Sequence, residues 1–82
     1  MATTLSRVEK VIHRFAPYCA RLTITEQTHF ENDLGFDSLE KLEFSMDLEA
    51  EFGVSFDDYD TSLNFVGELV KIIDKKLLEQ GN

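Results

Sequence analysis

The sequence is poor in cysteine and has no long apolar run. Cys19 is the single cysteine among 82 residues, so an internal disulfide is impossible and no Cys-x-x-Cys or mixed Cys/His zinc pattern exists. No apolar stretch approaches the roughly 20 residues of a membrane-spanning helix, and the first residues lack the basic and apolar segments of a signal peptide. We therefore expect no membrane insertion, no metal site and a reducing compartment.

Basic residues are also scarce. Eight Lys and Arg stand against sixteen Asp and Glu, which gives a net charge of -8. This balance argues against nucleic acid and anionic membrane surfaces as main partners, and it favours basic proteins. Eleven of the sixteen acidic residues lie within residues 31–60, where Lys41 is the only basic residue. Such asymmetry favours an electrostatic docking surface over a merely solvated face.

The remaining composition suits one small folded domain. Apolar residues make up 43% of the chain and include seven Phe, too many for a disordered acidic tail. A domain this short buries only roughly 60% of the surface that its unfolded chain exposes, so a deep substrate pocket is not expected. We predict a single monomeric domain over residues 1–82 that binds its partners through an exposed surface rather than in a cleft.

The first predicted helix is amphipathic and ends before Pro17, with Ser6 and Glu9 spaced as a capping box. Its apolar residues recur at helical spacing and are Leu5, Val8, Val11, Ile12 and Phe15. Residues 18–36 then lack a sustained period. We interpret them as a long ordered loop pinned across the core by its scattered apolar residues, which are Leu22, Ile24, Phe30, Leu34 and Phe36.

A second, acidic helix begins at Ser38 and stops at Gly53, which can supply a left-handed C-terminal residue. The helix carries two apolar stripes, one made of Leu39, Leu42, Met46 and Ala50 and the other of Phe44, Leu48 and Phe52. Two stripes predict a wide apolar face, with charged residues on the remaining surface.

The end of the chain predicts one more long helix. Residues 57–62 allow at most one helical turn, and the last helix follows with Asn64 or Ser62 as its cap and Gly81 beyond its end. Its apolar stripe consists of Phe65, Leu69, Ile72, Ile73 and Leu77. Gly67 inside this helix predicts a close packing contact, because Gly otherwise costs up to about 1 kcal/mol relative to Ala.

No stretch alternates with the period of two that a strand requires. The predicted fold class is therefore all-α, a small bundle of three main helices plus one short helix, with a long loop between the first and second helices.

Ser38 follows a glycine-containing loop and lies in the first turn of the predicted acidic helix. Backbone N–H groups that lack partners at a helix start, together with the positive end of the helix dipole, favour a phosphate attached there. The alternative is that Ser38, or Asp37 with Glu40 behind it, is an ordinary N-cap. On spacing alone, the cap is the favoured interpretation.

The residues around Ser38 resemble the acyl carrier protein family, in particular the freestanding carriers of type II fatty acid synthesis. The resemblance rests on the run Asp33-Leu34-Gly35-x-Asp37-Ser38-Leu39, followed by Glu43, Met46, Leu48, Glu49 and Glu51-Phe52. The predicted order of helices also matches that family, so the resemblance covers most of the chain and favours a carrier over a coincidental cap.

The resemblance implies a covalent cofactor. Ser38, flanked by Asp37 and Leu39, would receive 4′-phosphopantetheine from coenzyme A through a Mg²⁺-dependent phosphopantetheinyl transferase. The thiol of this arm would hold growing acyl chains as thioesters for enzymes of type II fatty acid synthesis. The chain would then be a substrate of other enzymes and not a catalyst, and Cys19 would be a buried filler rather than the working thiol.

The resemblance also implies a cavity and a docking surface. The residues that match family positions around a sheltered acyl chain are Phe44, Leu48 and Leu69, with Leu42 and Met46 nearby, although each could equally be ordinary core. Basic patches on partner enzymes would dock on the acidic helix at Glu40, Leu42, Glu43, Met46, Asp47 and Glu49. Lys41 and Ala50 depart from the usual acidic pattern of the family, so partner choice could differ.

Other functions remain open at this level. Peptidyl and polyketide carriers share the serine, and mitochondrial relatives also bind small helical assembly proteins. A Ser38 hydrolase is disfavoured because no G-x-S-x-G elbow is present. A calcium loop at Asp58 fails because Leu63 and Leu69 stand where Gly and a carboxylate are needed. Thr28-His29-Phe30 resembles mitochondrial carriers, so we expect the mitochondrial matrix in a eukaryote and otherwise the bacterial cytoplasm.

Overall fold

The computed structural model describes residues 3–80, and for Asp58 and Tyr59 the backbone alone. Its helices are α1 (Thr4–Phe15), α2 (Ser38–Phe52), the single turn α3 (Asp58–Thr61) and α4 (Val66–Gln80), with a 3₁₀ turn at Pro17–Cys19. No strand occurs among the described residues. The prediction of an all-α bundle with three main helices, one short helix and a long first loop is confirmed.

Helix α1 begins one turn earlier than its predicted capping box implied. Thr3 is the N-cap, and its hydroxyl accepts from the Ser6 N–H while the Ser6 hydroxyl accepts from the Thr3 N–H. The prediction of a Ser6-to-Glu9 box was therefore wrong. Glu9 instead accepts a hydrogen bond from the Ile24 N–H at 2.9 Å, which ties the loop to α1. The helix ends at Phe15, as Pro17 predicted.

The long loop is pinned by buried side chains. Ile24, Phe30, Leu34 and Phe36 are each buried in the core, as predicted. Leu22 is the exception, because 43% of its surface stays exposed. The loop is thus ordered by burial from residue 24 onward, which explains how so long an irregular segment is stable in a small domain.

Backbone hydrogen bonds fasten the same loop to the start of α4. The Phe30 N–H donates to the Asn64 carbonyl at 2.8 Å, and the Val66 and Gly67 N–H groups donate to the carbonyls of Thr28 and Glu26, both at 2.9 Å. The loop carbonyls thereby satisfy two N–H groups of the first turn of α4, which have no partner within their own helix.

The start of α4 differs from its prediction. The helix begins at Val66, so neither Asn64 nor Ser62 takes the N-cap position. The Glu68 carboxylate accepts instead from the Phe65 N–H at 3.1 Å. Phe65, predicted to belong to the apolar stripe, is 43% exposed and meets the His29 ring edge-on at 5.0 Å. Gly81 lies outside the described residues.

The two apolar stripes of α2 do not form one buried face. Phe44, Leu48 and Phe52 are buried, and Phe44 joins an aromatic cluster whose ring centroids lie 5.4 to 6.2 Å apart, formed by Phe15, Phe30, Phe36 and Phe44. The other stripe faces solvent, and its members are Leu39, Leu42, Met46 and Ala50. The wide apolar face predicted for α2 is therefore divided between core and surface, because none of the other described helices covers the second stripe.

We expect Gly67→Ala to destabilise the fold, although Ala is ordinarily the better helix former. A Cβ at position 67 would lie 2.9 Å from both the Cβ and the carbonyl oxygen of Glu26, and that carbonyl is held by its bond to the Gly67 N–H. The loop would have to move. The expected loss is about 1–3 kcal/mol in the free energy of unfolding, measured by urea denaturation.

Lys71→Ala, at an exposed position of the same helix, is the matched control and should change stability by less than about 0.5 kcal/mol. A Gly67→Ala protein as stable as the wild type would show that the contact between loop and helix is not tight.

Candidate functional site

Asp37, and not Ser38, caps helix α2. The Asp37 carboxylate accepts from the Glu40 N–H at 2.8 Å, and the Glu40 carboxylate accepts from the Asp37 N–H at 3.3 Å. Gly35 adopts a φ of 74°, a left-handed conformation that suits glycine. Of the two capping alternatives, the one that assigned the cap to Asp37 with Glu40 is confirmed.

Because Asp37 takes the cap, the Ser38 side chain is left exposed as the first residue of the helix. The position lies beside the N–H groups of the first turn and at the positive end of the helix dipole. An anion attached there gains about 0.3–1 kcal/mol from the dipole at an exposed site. The geometry therefore presents a hydroxyl at a place that tolerates a phosphodiester.

A groove runs beside Ser38 toward the α3–α4 connection, and its walls are formed by Glu31, Ser38, Lys41, Thr61, Ser62 and Asn64. Lys41 lies one turn after Ser38, and residues spaced by three share one face of a helix. The groove thus lies between the start of α2 and the connection from α3 to α4.

Lys41 is the residue at this site whose environment the sequence analysis missed. Its ammonium donates to the Glu31 carboxylate at 2.9 Å, and its side chain is only 10% exposed. The hydrogen bond to Lys41 and the charge of Lys41 lower the pKa of Glu31. A signal was available, because Lys41 stands three and seven residues before Phe44 and Leu48, in line with the buried stripe of α2.

A cavity opens between α2, α3 and α4. It is narrow, with room for about 20 Å³ of water-sized space, and its apolar wall is formed by Phe30, Phe44, Leu48, Phe56, Leu63 and Leu69. The three residues predicted to line an acyl-chain cavity, Phe44, Leu48 and Leu69, thus share one wall. Leu42 and Met46 are exposed and do not line it.

Three polar residues border the cavity, although nearly all of the surface that faces it is apolar. Lys41, Ser45 and Asp60 also line it, and all three are buried. Asp60 is held by Lys76 at 3.3 Å, and the Ser45 hydroxyl donates to the Leu42 carbonyl at 2.6 Å. From the sequence, Asp60 was counted only among the acidic residues of segment 31–60, and Ser45 was given no role.

The predicted docking residues fall into two groups. Glu43 and Asp47 are exposed, as are the apolar side chains of Leu39, Leu42 and Met46, which lie 62%, 48% and 61% open to solvent. Because these residues share one side of α2, we call Leu39, Leu42, Glu43, Met46 and Asp47 the docking face.

Glu40 and Glu49, also predicted to bind partners, are half-buried and engaged within the fold. Glu40 belongs to the capping box, and the Glu49 carboxylate accepts from the Phe56 N–H at 2.8 Å. Their charges contribute to the acidic potential of α2, but each carboxylate also accepts a hydrogen bond from the backbone of another residue.

Other reactive groups lie away from this site. Cys19 is fully buried, and burial, with a smaller effect of Glu40, raises the pKa of its thiol, so it is a poor nucleophile. Among the side chains that the structure describes, no group of three or more His, Cys, Asp or Glu is arranged to hold a metal ion. No helix within the described residues 3–80 is both long and apolar enough to cross a membrane.

Comparison with known proteins identifies the family. Residues 6–73 match the model of the phosphopantetheine attachment site. The chain is also 46% identical over 55 residues to an acyl carrier protein of Thermotoga maritima, in a match that covers 66% of this chain and 68% of that protein. The chain belongs to the acyl carrier protein family.

The cofactor of this family is a covalently attached 4′-phosphopantetheine. The local structure fits such a group, because an exposed hydroxyl stands at the start of α2, a groove leads away from it and an apolar cavity adjoins the groove. When attached, the group supplies a thiol that forms thioesters.

We expect Lys41→Met to raise the pKa of Glu31 toward its ordinary value, because the ion pair that favours the charged carboxylate is lost. In the wild type, a lowered pKa stabilises the fold above the ordinary pKa of Glu31, and this contribution disappears as the pH falls through the lowered value. An NMR titration of the Glu31 carboxyl carbon measures the change.

Lys71→Met removes an exposed lysine of α4 and should leave the Glu31 pKa unchanged. The same pKa in wild type and Lys41→Met would mean that the ion pair does not persist in solution.

Proposed function

We propose that Ser38 is the attachment residue for 4′-phosphopantetheine and that the chain is a non-catalytic carrier of acyl groups. The observation that carries this proposal is the exposed hydroxyl at the first position of α2, left available because Asp37 is the cap. The Asp37-Ser38-Leu39 triplet lies inside the matched family region, which supports the same assignment.

The residues around Ser38 have separate roles in this proposal. The first turn of α2 stabilises the phosphodiester through its N–H groups and the helix dipole. Asp37 and Glu40 hold the chain entering the helix, so the hydroxyl keeps a constant position for the transferase. No histidine is needed next to Ser38, because a separate enzyme activates the hydroxyl. His13 bonds to the Leu22 carbonyl instead.

We further propose that the carrier serves type II fatty acid synthesis through its docking face. Two exposed carboxylates, Glu43 and Asp47, lie beside exposed Leu39, Leu42 and Met46. Such a mixture suits partners with basic patches and a small apolar contact, because charge accelerates encounter while a small apolar area permits release. The phosphopantetheinyl transferase and the enzymes of fatty acid synthesis are the partners of this kind.

Transport of polyketide or peptidyl intermediates is the alternative within the same carrier chemistry, because it would use the same attachment at Ser38. A structural role with a small helical assembly protein, in a mitochondrial setting, would use the same docking face.

Replacing Ser38 by Ala should abolish loading. The wild-type protein, incubated with coenzyme A, Mg²⁺ and a broad-specificity phosphopantetheinyl transferase, should gain the mass of one phosphopantetheine in intact-mass spectrometry, and Ser38→Ala should gain none.

Ser55→Ala, which removes an exposed serine outside α2, is the control and should load as the wild type does. Loading of Ser38→Ala, or a wild-type protein that stays unmodified, would refute the assignment of Ser38.

Reversing the charges of the docking face should slow acyl transfer. For Glu43→Lys with Asp47→Lys, we expect transfer from a malonyl transferase of type II synthesis to fall at least about tenfold at low salt, because electrostatic steering toward a basic patch is lost. The difference should shrink as the ionic strength rises.

Glu26→Lys with Glu79→Lys carries the same change in net charge at exposed positions away from α2 and should retain most of the rate. Equal loss in both double variants would attribute the effect to net charge and remove the docking face from the proposal.

A further inference from the structure

Lys41 is the basic residue that lies beside the proposed attachment site. It is the only basic residue within residues 31–60, and it follows Ser38 by one turn of α2. Both residues line the groove, together with Glu31. The Lys41 ammonium donates to the Glu31 carboxylate at 2.9 Å, so the charged end of this largely buried side chain lies at the wall of the groove.

Helix geometry brings the Lys41 side chain toward Ser38. Long side chains in an α-helix point back toward its N-terminus and cover the preceding turn, and residues spaced by three have Cβ atoms about 5–6 Å apart. The observed position of the ammonium agrees with this direction, because its partner Glu31 belongs to the loop that precedes α2. An anion attached to the Ser38 oxygen is therefore within the range of this ammonium.

The fold alone gives little reason for a lysine at this position. Lys41 lies in line with the buried Phe44 and Leu48, where an apolar side chain would pack without the cost of desolvating a charge. The pair with Glu31 offsets little of that cost, because the Glu31 carboxylate is 56% exposed and exposed ion pairs are weak. An ammonium also has three N–H donors, and Glu31 accepts one of them. A second acceptor at the groove would account for the lysine.

We propose that Lys41 binds the phosphodiester once Ser38 is loaded, and that loading moves the ammonium from the Glu31 carboxylate to the phosphate oxygens. The proposal rests on the attachment function proposed above for Ser38. In the unloaded carrier, Glu31 is the counterion of Lys41. In the loaded carrier, the phosphodiester takes that place and Glu31 is released to solvent. The two forms therefore differ by one free carboxylate in the groove beside Ser38.

The exchange of partners is favourable because of where each anion is held. The phosphodiester is fixed by a covalent bond to the same helix, and the N–H groups and dipole at the helix start stabilise it there. Its oxygens accept charge-assisted hydrogen bonds from an ammonium. The Glu31 carboxylate is more than half exposed, so water compensates for the loss of its partner. Lys41 keeps a counterion in both forms, and no buried charge is left unpaired.

The first measurement follows Glu31 in the wild type before and after loading. In the unloaded protein, the hydrogen bond from Lys41 and the charge of Lys41 lower the pKa of Glu31, desolvation opposes them, and His29 adds a smaller lowering. Loading with phosphopantetheine, confirmed by intact mass, should raise this pKa toward its ordinary value, because the ammonium leaves the carboxylate. An NMR titration of the Glu31 carboxyl carbon measures the pKa in both forms.

The second measurement uses Glu31→Gln, which removes the competing carboxylate at an exposed position. Without its counterion, the Lys41 ammonium should destabilise the unloaded variant, and loading should restore the loss. We expect loading to raise the folding equilibrium constant of Glu31→Gln at least about fivefold, measured by urea denaturation, because hydrogen bonds to a charged group form. Glu79→Gln, which removes an exposed carboxylate of α4, is the matched control and should respond to loading as the wild type does.

Lys41→Met isolates the ammonium, with Lys71→Met at an exposed position of α4 as its control. In Lys41→Met, loading should change the pKa of Glu31 much less than in the wild type. The phosphorus-31 resonance of the loaded protein should also shift in Lys41→Met, because the phosphate oxygens lose a charged donor. Lys71→Met should match the wild type in both measurements.

A Glu31 pKa that loading leaves unchanged in the wild type would overturn the proposal, even if Lys41→Met fails to fold. So would a rise of the same size in the wild type and in Lys41→Met, because the charge of the phosphodiester would then act on Glu31 directly. A stability of Glu31→Gln that loading does not increase also counts against it. Failure of the attachment proposed for Ser38 is distinguishable, since intact mass would then show no phosphopantetheine on the wild type.

Discussion

The structure depends on the docking of the long loop onto the first turn of α4. Three backbone hydrogen bonds, from Phe30 to Asn64, from Val66 to Thr28 and from Gly67 to Glu26, join two segments that are distant in sequence. These bonds fix the loop where Phe30 is buried in the core. The chain then turns at Gly35 and enters α2. The position of Ser38 at the surface is a consequence of this docking, since the loop determines where α2 begins.

Helix α2 has one side buried in the core and an opposite side exposed to solvent. Its buried side packs Phe44, Leu48 and Phe52 against the other helices, while Glu43 and Met46 stay exposed on the docking face. The exposed apolar side chains have no role in the core, and the proposed contact with partner proteins would account for their exposure. Repulsion among the acidic residues of this helix opposes compaction, and docking of a basic partner, as proposed, would relieve it.

Much of the fold and the attachment site could be predicted from the sequence, because both depend on local signals. Helical periodicity located α1, α2 and α4, Pro17 marked the end of α1, and Gly67 predicted a close contact that the structure places against Glu26. Capping was less predictable. Several residues near each helix start could accept hydrogen bonds from the same N–H groups. Ser6, Asn64 and Ser62 were therefore plausible N-caps, but none of them occupies the N-cap position in the structure.

By itself, the sequence determined the all-α class, the family and the serine at the start of an acidic helix, since these follow from short-range spacing and from the motif around Ser38. Only the tertiary structure decided which apolar stripe of α2 is covered and that Lys41 is buried beside a cavity with Glu31 as its partner. The reason is physical: burial depends on which distant segments pack against a helix face, and a lysine in the pattern gives no sign of whether its ammonium will meet water or a carboxylate brought from another part of the chain.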